Sequence, residues 1–180
     1  MKSQLTQNER MALQGLEAKV LRLSEFFSRV PFPQTEEPTD WYSYLASFKG
    51  ELGNIYNDVS LLATMMAKEF LQACFELPDF DAAAKPQGAA GLDVDVRTQQ
   101  GSRVIAEIKT TSPYGSGDLG AQQGETFRKD AGKLTRTPAE HRFFFVTERS
   151  TFDVLKKPKY REMFAGIRVV LLPSGEELRS

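Results

Sequence analysis

The order of the predicted elements places this chain in the α/β class, with a central mixed β-sheet flanked by helices. Two stretches at 92–98 and 102–109 alternate apolar with charged residues around a polar turn, which predicts a β-hairpin. Two later apolar runs, at 143–146 and 167–172, lack this alternation and predict strands buried on both faces. Amphipathic stretches precede the hairpin and separate the later strands, so one sheet flanked by helices accounts for the pattern.

The length and composition indicate one core with a helical extension, because 41% of the 180 residues are hydrophobic. We expect the extension at 1–48 and the core at 49–180. A single cysteine, Cys74, excludes an internal disulfide and a cysteine zinc site, and the single His141 excludes a histidine-rich metal site. The chain has no run of about 18 apolar residues and no apolar signal segment at its start. We therefore expect a cytoplasmic protein without membrane association.

The charge is distributed unevenly along the chain, although the net charge is only −1. Residues 1–95 contain eight basic and 14 acidic residues, whereas residues 96–161 contain 13 basic and seven acidic residues. A basic segment of this kind is typical of proteins that bind phosphate groups, and a solvated charged surface is the plainer interpretation.

Two helices are predicted before the hairpin. Residues 5–27 repeat apolar side chains at helical spacing, with charged residues between them and prolines after them. Residues 51–75 give the strongest helical pattern, with Gly50 and Gly53 weakening its start. Residues 77–91 are rich in proline, glycine and alanine and predict a loop.

A three-residue loop at 99–101 fixes the register of the hairpin, because it pairs Thr98 with Ser102 and sets Asp93 opposite Glu107. Cross-strand partners point to the same face, so the charged and apolar residues separate. The apolar face is predicted to hold Leu92, Val94, Val96, Val104, Ala106 and Ile108. The charged face is predicted to hold Asp93, Asp95, Glu107 and Lys109. Its three carboxylates repel one another, and a divalent cation such as magnesium, which prefers hard oxygen ligands, removes the repulsion.

The elements after the hairpin alternate between helix and strand. Residues 112–124 contain four glycines without a regular period, which is typical of a functional loop. Residues 125–136 predict a basic helix, and its Lys129 and Lys133 lie four residues apart on the outer side, as phosphate contacts would. A second basic helix at 152–164 leads to the last strand.

The charged residues of the hairpin resemble the signature of the PD-(D/E)XK nucleases, the restriction-endonuclease-like superfamily. Thirteen residues separate Asp93 from the run Glu107-Ile108-Lys109, and Gly91 stands where many members have a Gly-x-Asp. The resemblance covers about residues 50–172 and implies an αβββαβ core.

Two features of the motif depart from the family pattern or leave a choice open. Ala90 and Leu92 stand where the nominal proline before the aspartate is found, although many members lack it. Asp95 is a rival for the aspartate role. We favour Asp93, because it follows the Gly-x spacing and faces Glu107 directly.

The resemblance implies a magnesium-dependent endonuclease, with Mn²⁺ as an alternative ion, that hydrolyses phosphodiester bonds of double-stranded DNA in restriction or repair. Asp93 and Glu107 would hold the ion. Lys109 would orient the attacking water or stabilise the developing negative charge. A homodimer would allow both strands to be cut.

Two further site residues follow from the resemblance. In this superfamily a helix before the catalytic strands often supplies another acid, and we rank Glu51 ahead of Asp58 and Glu69, since small glycines flank it. Gln123 and Phe127 loosely resemble a Gln-x-x-x-Tyr element that follows the ExK strand in some members, which implies a nucleic-acid contact for Gln123.

Two alternatives stay open from the residues alone. One is a non-catalytic DNA-binding or partner-binding module on the same fold, and the other is a structural or partner-binding protein whose acidic face is ordinary surface. Nucleotide-binding and serine-hydrolase functions have little support, because the chain has no GxxxxGK[ST], GxGxxG or GxSxG motif.

Overall fold

A computed structural model describes residues 4–78, 80–85, 89–114, 117–172 and 174–178 of the chain. Within these ranges five strands form one mixed sheet, which confirms the predicted α/β class. The helices are α1 (Gln7–Arg29), α2 (Pro38–Leu52), α3 (Ile55–Cys74), α4 (Ala121–Arg136), α5 (Arg149–Leu155) and the short α6 (Pro158–Arg161). The strands are β1 (Val94–Arg97), β2 (Arg103–Lys109), β3 (His141–Val146), β4 (Arg168–Leu171) and β5 (Glu176–Glu177).

The strands follow one another across the sheet in chain order, from β1 to β5. β1 is antiparallel to β2, β2 to β4 are parallel, and β5 is antiparallel to β4. Parallel neighbours need a long crossover connection, and α4 provides it between β2 and β3, while α5 and α6 provide it between β3 and β4. The two predicted buried strands are confirmed, because β3 and β4 lie at these positions and residues 143–146 and 169–171 are buried.

The strand order of the nuclease core is not reproduced in full by the part of the chain that is described. Between α3 and α4 these residues form two strands, β1 and β2, whereas the αβββαβ order has three strands at this place. The coarser class is therefore confirmed, and the restriction-endonuclease-like core stays a prediction.

The predicted register of the hairpin is confirmed. Val94 lies opposite Ala106, and the backbone N–H of Thr98 donates to the carbonyl of Ser102 at 2.8 Å. Gly101 has a φ of +89°, a left-handed conformation that glycine adopts without strain. The same register sets Asp93, directly before β1, in line with Glu107.

The two faces of the sheet pack against different helices. The face of the hairpin that was predicted to be apolar packs on α3 in a cluster that includes Ala63, Ala67, Leu71, Val94, Val104 and Ala106. The other face packs on α4 in a cluster that includes Ile105, Phe127, Ala131, Leu134 and Phe144. Leu92, expected beside Val94, packs against the α4 cluster instead, since it lies before β1 begins. On this face α4 covers Ile105 and Glu107 of β2, whereas Asp93 and Asp95 are exposed.

The helix predicted at 51–75 is wrong at its start. α2 ends at Leu52 and α3 begins at Ile55, because Gly53 turns the chain with a φ of +57°. The N–H of Gly53 donates to the carbonyl of Lys49 at 3.0 Å and closes α2. Glu51 consequently belongs to α2 and not to α3, the helix that packs on the sheet.

The contacts divide the chain into two compact units, one of Leu5–Asp58 and one that contains Val59–Ser180. In the first unit α1 and α2 pair through aromatic rings, and the centroid of Phe26 lies 5.4 Å from Tyr44 and 6.0 Å from Phe48. The functional division into a helical extension and a nuclease-like core stays a prediction. No helix in the described ranges is long and apolar enough to cross a membrane.

Candidate active site

Asp93 lies at the point where the ladder between β1 and β2 ends. In an antiparallel hairpin every second pair of opposite residues exchanges backbone hydrogen bonds. Counted from Thr98 and Ser102, the N–H of Ile108 would donate to the carbonyl of Leu92. Instead the N–H of Ile108 donates to Oδ2 of Asp93 at 2.8 Å, and the carbonyl of Leu92 accepts from Nζ of Lys85 at 2.6 Å. Gly91, two residues before Asp93, has a φ of +108°, a conformation that favours glycine. The carboxylate of Asp93 is thus held against the backbone of β2.

Glu107 is buried on the face of β2 that α4 covers. Nζ of Lys133, on α4, donates both to Oε1 of Glu107 and to the carbonyl of Gly91. Burial raises the pKa of Glu107 to about 7, and the nearby negative charges of Asp93 and Asp130 act in the same direction, while the bond from Lys133 opposes them. Glu107 is therefore a carboxyl group whose environment favours a cation beside it.

Lys109, two residues after Glu107 on the same face of β2, forms an ion pair with Asp130 of α4. Its Nζ lies 2.5 Å from Oδ2 of Asp130, and both side chains are mostly buried. Asp130 and Lys133 are three residues apart and share one side of α4. The helix thus presents an acid to the lysine of β2 and a lysine to the glutamate of β2.

The structure brings together the three residues of the predicted motif and adds two residues from α4. Asp93 lies in line with Glu107 at one end of the hairpin, and Lys109 follows two residues later. Asp130, which is not part of the predicted motif, pairs with Lys109. A signal for it exists in the sequence, since Asp130 lies beside the apolar stripe of the predicted helix, where an acid is expected to have a partner. Lys133, predicted to face outward, is half-buried in its ion pair.

The oxygen ligands present at this site fit a magnesium ion. Within the described ranges, the hydrogen bonds of Asp93 and Glu107 given above use one oxygen of each carboxylate, which leaves a second oxygen on each. The carbonyl of Ile108 points to the same edge of β2 as its N–H. No group of three or more His, Cys, Asp or Glu side chains in the described ranges is arranged to hold a metal. Magnesium is commonly held by one or two carboxylates with water and phosphate ligands, so this donor set suits it.

Asp95, the rival for the aspartate role, is engaged elsewhere on the hairpin. Both of its oxygens accept from the guanidinium of Arg103, at 2.8 Å from Nε and 2.7 Å from Nη2. These bonds lower the pKa of Asp95. The bidentate pair makes Asp95 a cross-strand partner in the hairpin, which favours Asp93 over Asp95 for the aspartate position of the predicted motif.

The residues predicted to contact nucleic acid have different surroundings. Gln123 is buried, and its amide accepts from the N–H of Tyr114 at 3.1 Å and donates to the carbonyl of Ser112 at 2.7 Å. It therefore organises the loop that follows β2, and a contact with nucleic acid stays a prediction. Lys129 is exposed on α4, as a phosphate contact requires.

Two of the three candidate helix acids, Glu51 and Asp58, have described partners inside their own unit. Glu51 lies 3.8 Å from Nε of Arg22, and Asp58 pairs with Lys19, all in the unit Leu5–Asp58. Glu69 is exposed on α3, which packs on the opposite face of the sheet from α4. A role for Glu51 in the site stays a prediction.

Comparison of the chain with protein-family models, with curated proteins and with solved structures gives no match. The resemblance to the PD-(D/E)XK nucleases therefore depends on the motif and on the geometry of the site.

Proposed function

We propose that this protein is a magnesium-dependent endonuclease that hydrolyses phosphodiester bonds of double-stranded DNA in restriction or repair, on a PD-(D/E)XK-like core. The observation that supports the proposal best is the convergence of Asp93, Glu107 and Lys109 at one end of a hairpin. A cytoplasmic location is part of the same proposal.

The two carboxylates and the lysine have separate roles in the proposed reaction. Asp93 and Glu107, with the carbonyl of Ile108, would hold the Mg²⁺ or Mn²⁺ ion. Such an ion lowers the pKa of a bound water and polarises the phosphate. The ammonium of Lys109 stabilises the negative charge that develops on the phosphate, and its bond to Asp130 holds it in place.

Several features outside the carboxylates support DNA as the substrate. Basic residues are concentrated in residues 96–161, and Lys129 is exposed on the helix that carries two of the site residues. Phosphate contacts by such lysines supply affinity without reading sequence. A homodimer would place a second active site at the opposite strand.

Cleavage of supercoiled plasmid with and without Mg²⁺ tests the proposed activity. We expect nicking that requires Mg²⁺, loss of nicking in Lys109→Ala, and retention of DNA binding by that variant, because the ammonium acts on the developing charge. DNA binding is measured by fluorescence anisotropy. Failure of the wild type to cleave duplex, branched or single-stranded DNA would contradict the proposal.

The pairing of the site residues favours one second candidate, a DNA-binding or partner-binding module on the same fold without catalysis. Glu107 pairs with Lys133 and Lys109 pairs with Asp130, so each has a partner from α4 in the absence of substrate. In such a module, Lys109→Ala would weaken DNA or partner binding, and Mg²⁺ would have no effect.

A further inference from the structure

Lys133 makes the ion pair that connects α4 to Glu107. The side chain of Glu107 is 4% exposed, whereas that of Lys133 is 32% exposed. The lysine thus reaches from the protein surface to a buried carboxylate, and it also donates to the carbonyl of Gly91, two residues before Asp93.

The ammonium of Lys133 supplies positive charge beside Glu107, as a bound metal ion would. The three acids Asp93, Glu107 and Asp130 lie close enough for their charges to interact. A cation beside Glu107 reduces the repulsion among these three carboxylates. Either a lysine ammonium or a divalent ion can be that cation. Two cations next to the same carboxylate repel each other.

Lys109 is not the cation that competes with a metal, although it lies nearer to Glu107 in the chain. Its Nζ lies 2.5 Å from Oδ2 of Asp130, whereas the ion pair described for Glu107 is with Lys133. Among the described residues Lys133 pairs with one acid, Glu107, and its other acceptor is the neutral carbonyl of Gly91.

We infer that Lys133 is a displaceable counter-ion of the site: it neutralises Glu107 in the metal-free protein, and a divalent ion bound by Asp93 and Glu107 displaces it. Lys133 is in this sense a positioning residue, which holds the carboxylate ready and competes with the ion. The inference depends on the proposed function, since it requires that these two acids bind a divalent ion.

Lysine acylation of the wild-type protein, measured by mass spectrometry, tests the displacement directly. In the paired state the nitrogen of Lys133 is shielded, so we expect its acetylation rate by acetic anhydride to increase several-fold when Mg²⁺ is added at constant ionic strength. Lys129, one turn away and exposed, serves as the internal control and should keep its rate. An unchanged or slower rate at Lys133, in protein shown by calorimetry to be saturated with Mg²⁺, would overturn the inference.

The magnesium affinity of Lys133→Met, measured by isothermal titration calorimetry, is the second test. Removal of the competing ammonium should tighten Mg²⁺ binding by about tenfold, the equivalent of one hydrogen bond to a charged group. Lys129→Met removes the same charge from the exposed side of α4 and should leave the affinity close to that of the wild type. If Lys133→Met binds Mg²⁺ with an affinity equal to or weaker than that of the wild type, the inference about Lys133 is overturned but the proposed function is not. Absence of Mg²⁺ binding in both the wild type and Lys133→Met would contradict the proposed function itself.

Discussion

At the scale of single residues, the carboxyl group of Glu107 has a strongly raised pKa. Burial is the main reason why its pKa rises from the usual 4.5 to about 7, with the bond from Lys133 opposing the rise. In the unfolded chain the group titrates near its usual value. Between about pH 4.5 and 7 the folded protein therefore binds more protons than the unfolded chain, and its stability falls as the pH rises through this window.

We expect Glu107→Gln to be more stable than the wild type at pH 8 in the presence of a chelator, because the amide has no charge to bury. The gain is at most about 3 kcal/mol, or several degrees in Tm, since one unit of pKa corresponds to about 1.4 kcal/mol. Calorimetric scans at pH 8 and pH 4 check this, and the difference should vanish at pH 4, where both side chains are neutral.

Glu125→Gln is the matched control for this substitution, because Glu125 is an exposed acid on α4, the helix that carries Lys133. Its Tm should follow that of the wild type at both pH values. A Tm of Glu107→Gln below that of the wild type at pH 8 would show that the ion pair with Lys133 outweighs the burial of the charge.

At the scale of elements, the hairpin was predictable because the residues that determine its register are close together in the sequence. The alternation of residues and the turn at 99–101 leave one register in which the apolar side chains share a face, and the structure has that register. The docking of α4 is not local. Its two ion pairs join Lys133 to Glu107 and Asp130 to Lys109, more than twenty positions apart in the chain, and helix periodicity alone does not say which strand a helix covers.

The break between α2 and α3 shows a second limit of reasoning from periodicity. The apolar stripe runs through 51–75 at helical spacing, so the pattern favours one helix. Gly53 overrides it with a left-handed conformation that ends α2. Glycine inside a helical pattern lowers helical stability but does not say whether the helix breaks, and the assignment of Glu51 to the site depended on that point.

The buried side-chain amide of Gln123 holds the loop after β2, and removal of this amide should loosen the loop. Gln123→Met removes the bonds to Ser112 and Tyr114, and we expect a loss of about 1–3 kcal/mol in the free energy of unfolding. Hydrogen exchange at the amide of Tyr114 should accelerate in the variant. Gln122→Met, at the exposed neighbouring position, is the control. Unchanged exchange at Tyr114 would show that other contacts hold the loop.

At the scale of the whole molecule, the helical pair of the unit Leu5–Asp58 exposes large apolar side chains, which an ordinary solvated helix buries. α2 has no buried residue, and Trp41, Tyr42 and Leu45 are exposed on it. Exposed apolar side chains in such a group mark interaction surfaces in soluble proteins. This surface supports the homodimer that the proposed cleavage of both DNA strands would use.

We expect the wild type to sediment as a dimer of the 20.2 kDa chain, and Tyr42→Glu to shift the equilibrium to the monomer, because a charge in an apolar interface is costly. Sedimentation velocity over a range of concentrations measures this. Tyr114→Glu is a suitable control, because Tyr114 is equally exposed but belongs to the other unit. A wild type that stays monomeric at high concentration would contradict the dimer.

The most direct test of the central claim compares plasmid nicking in Mg²⁺ by the wild type, Asp93→Asn and Asp95→Asn. Each substitution removes one negative charge, at positions two residues apart in the chain. If Asp93, Glu107 and Lys109 form one catalytic site, Asp93→Asn should lose at least about 100-fold in rate, the scale on which enzymes lose rate when charge stabilisation is removed. Asp95→Asn should stay close to the wild type, because Asp95 is paired with Arg103. Equal rates for the two variants, or a wild type that does not cleave, would contradict the account.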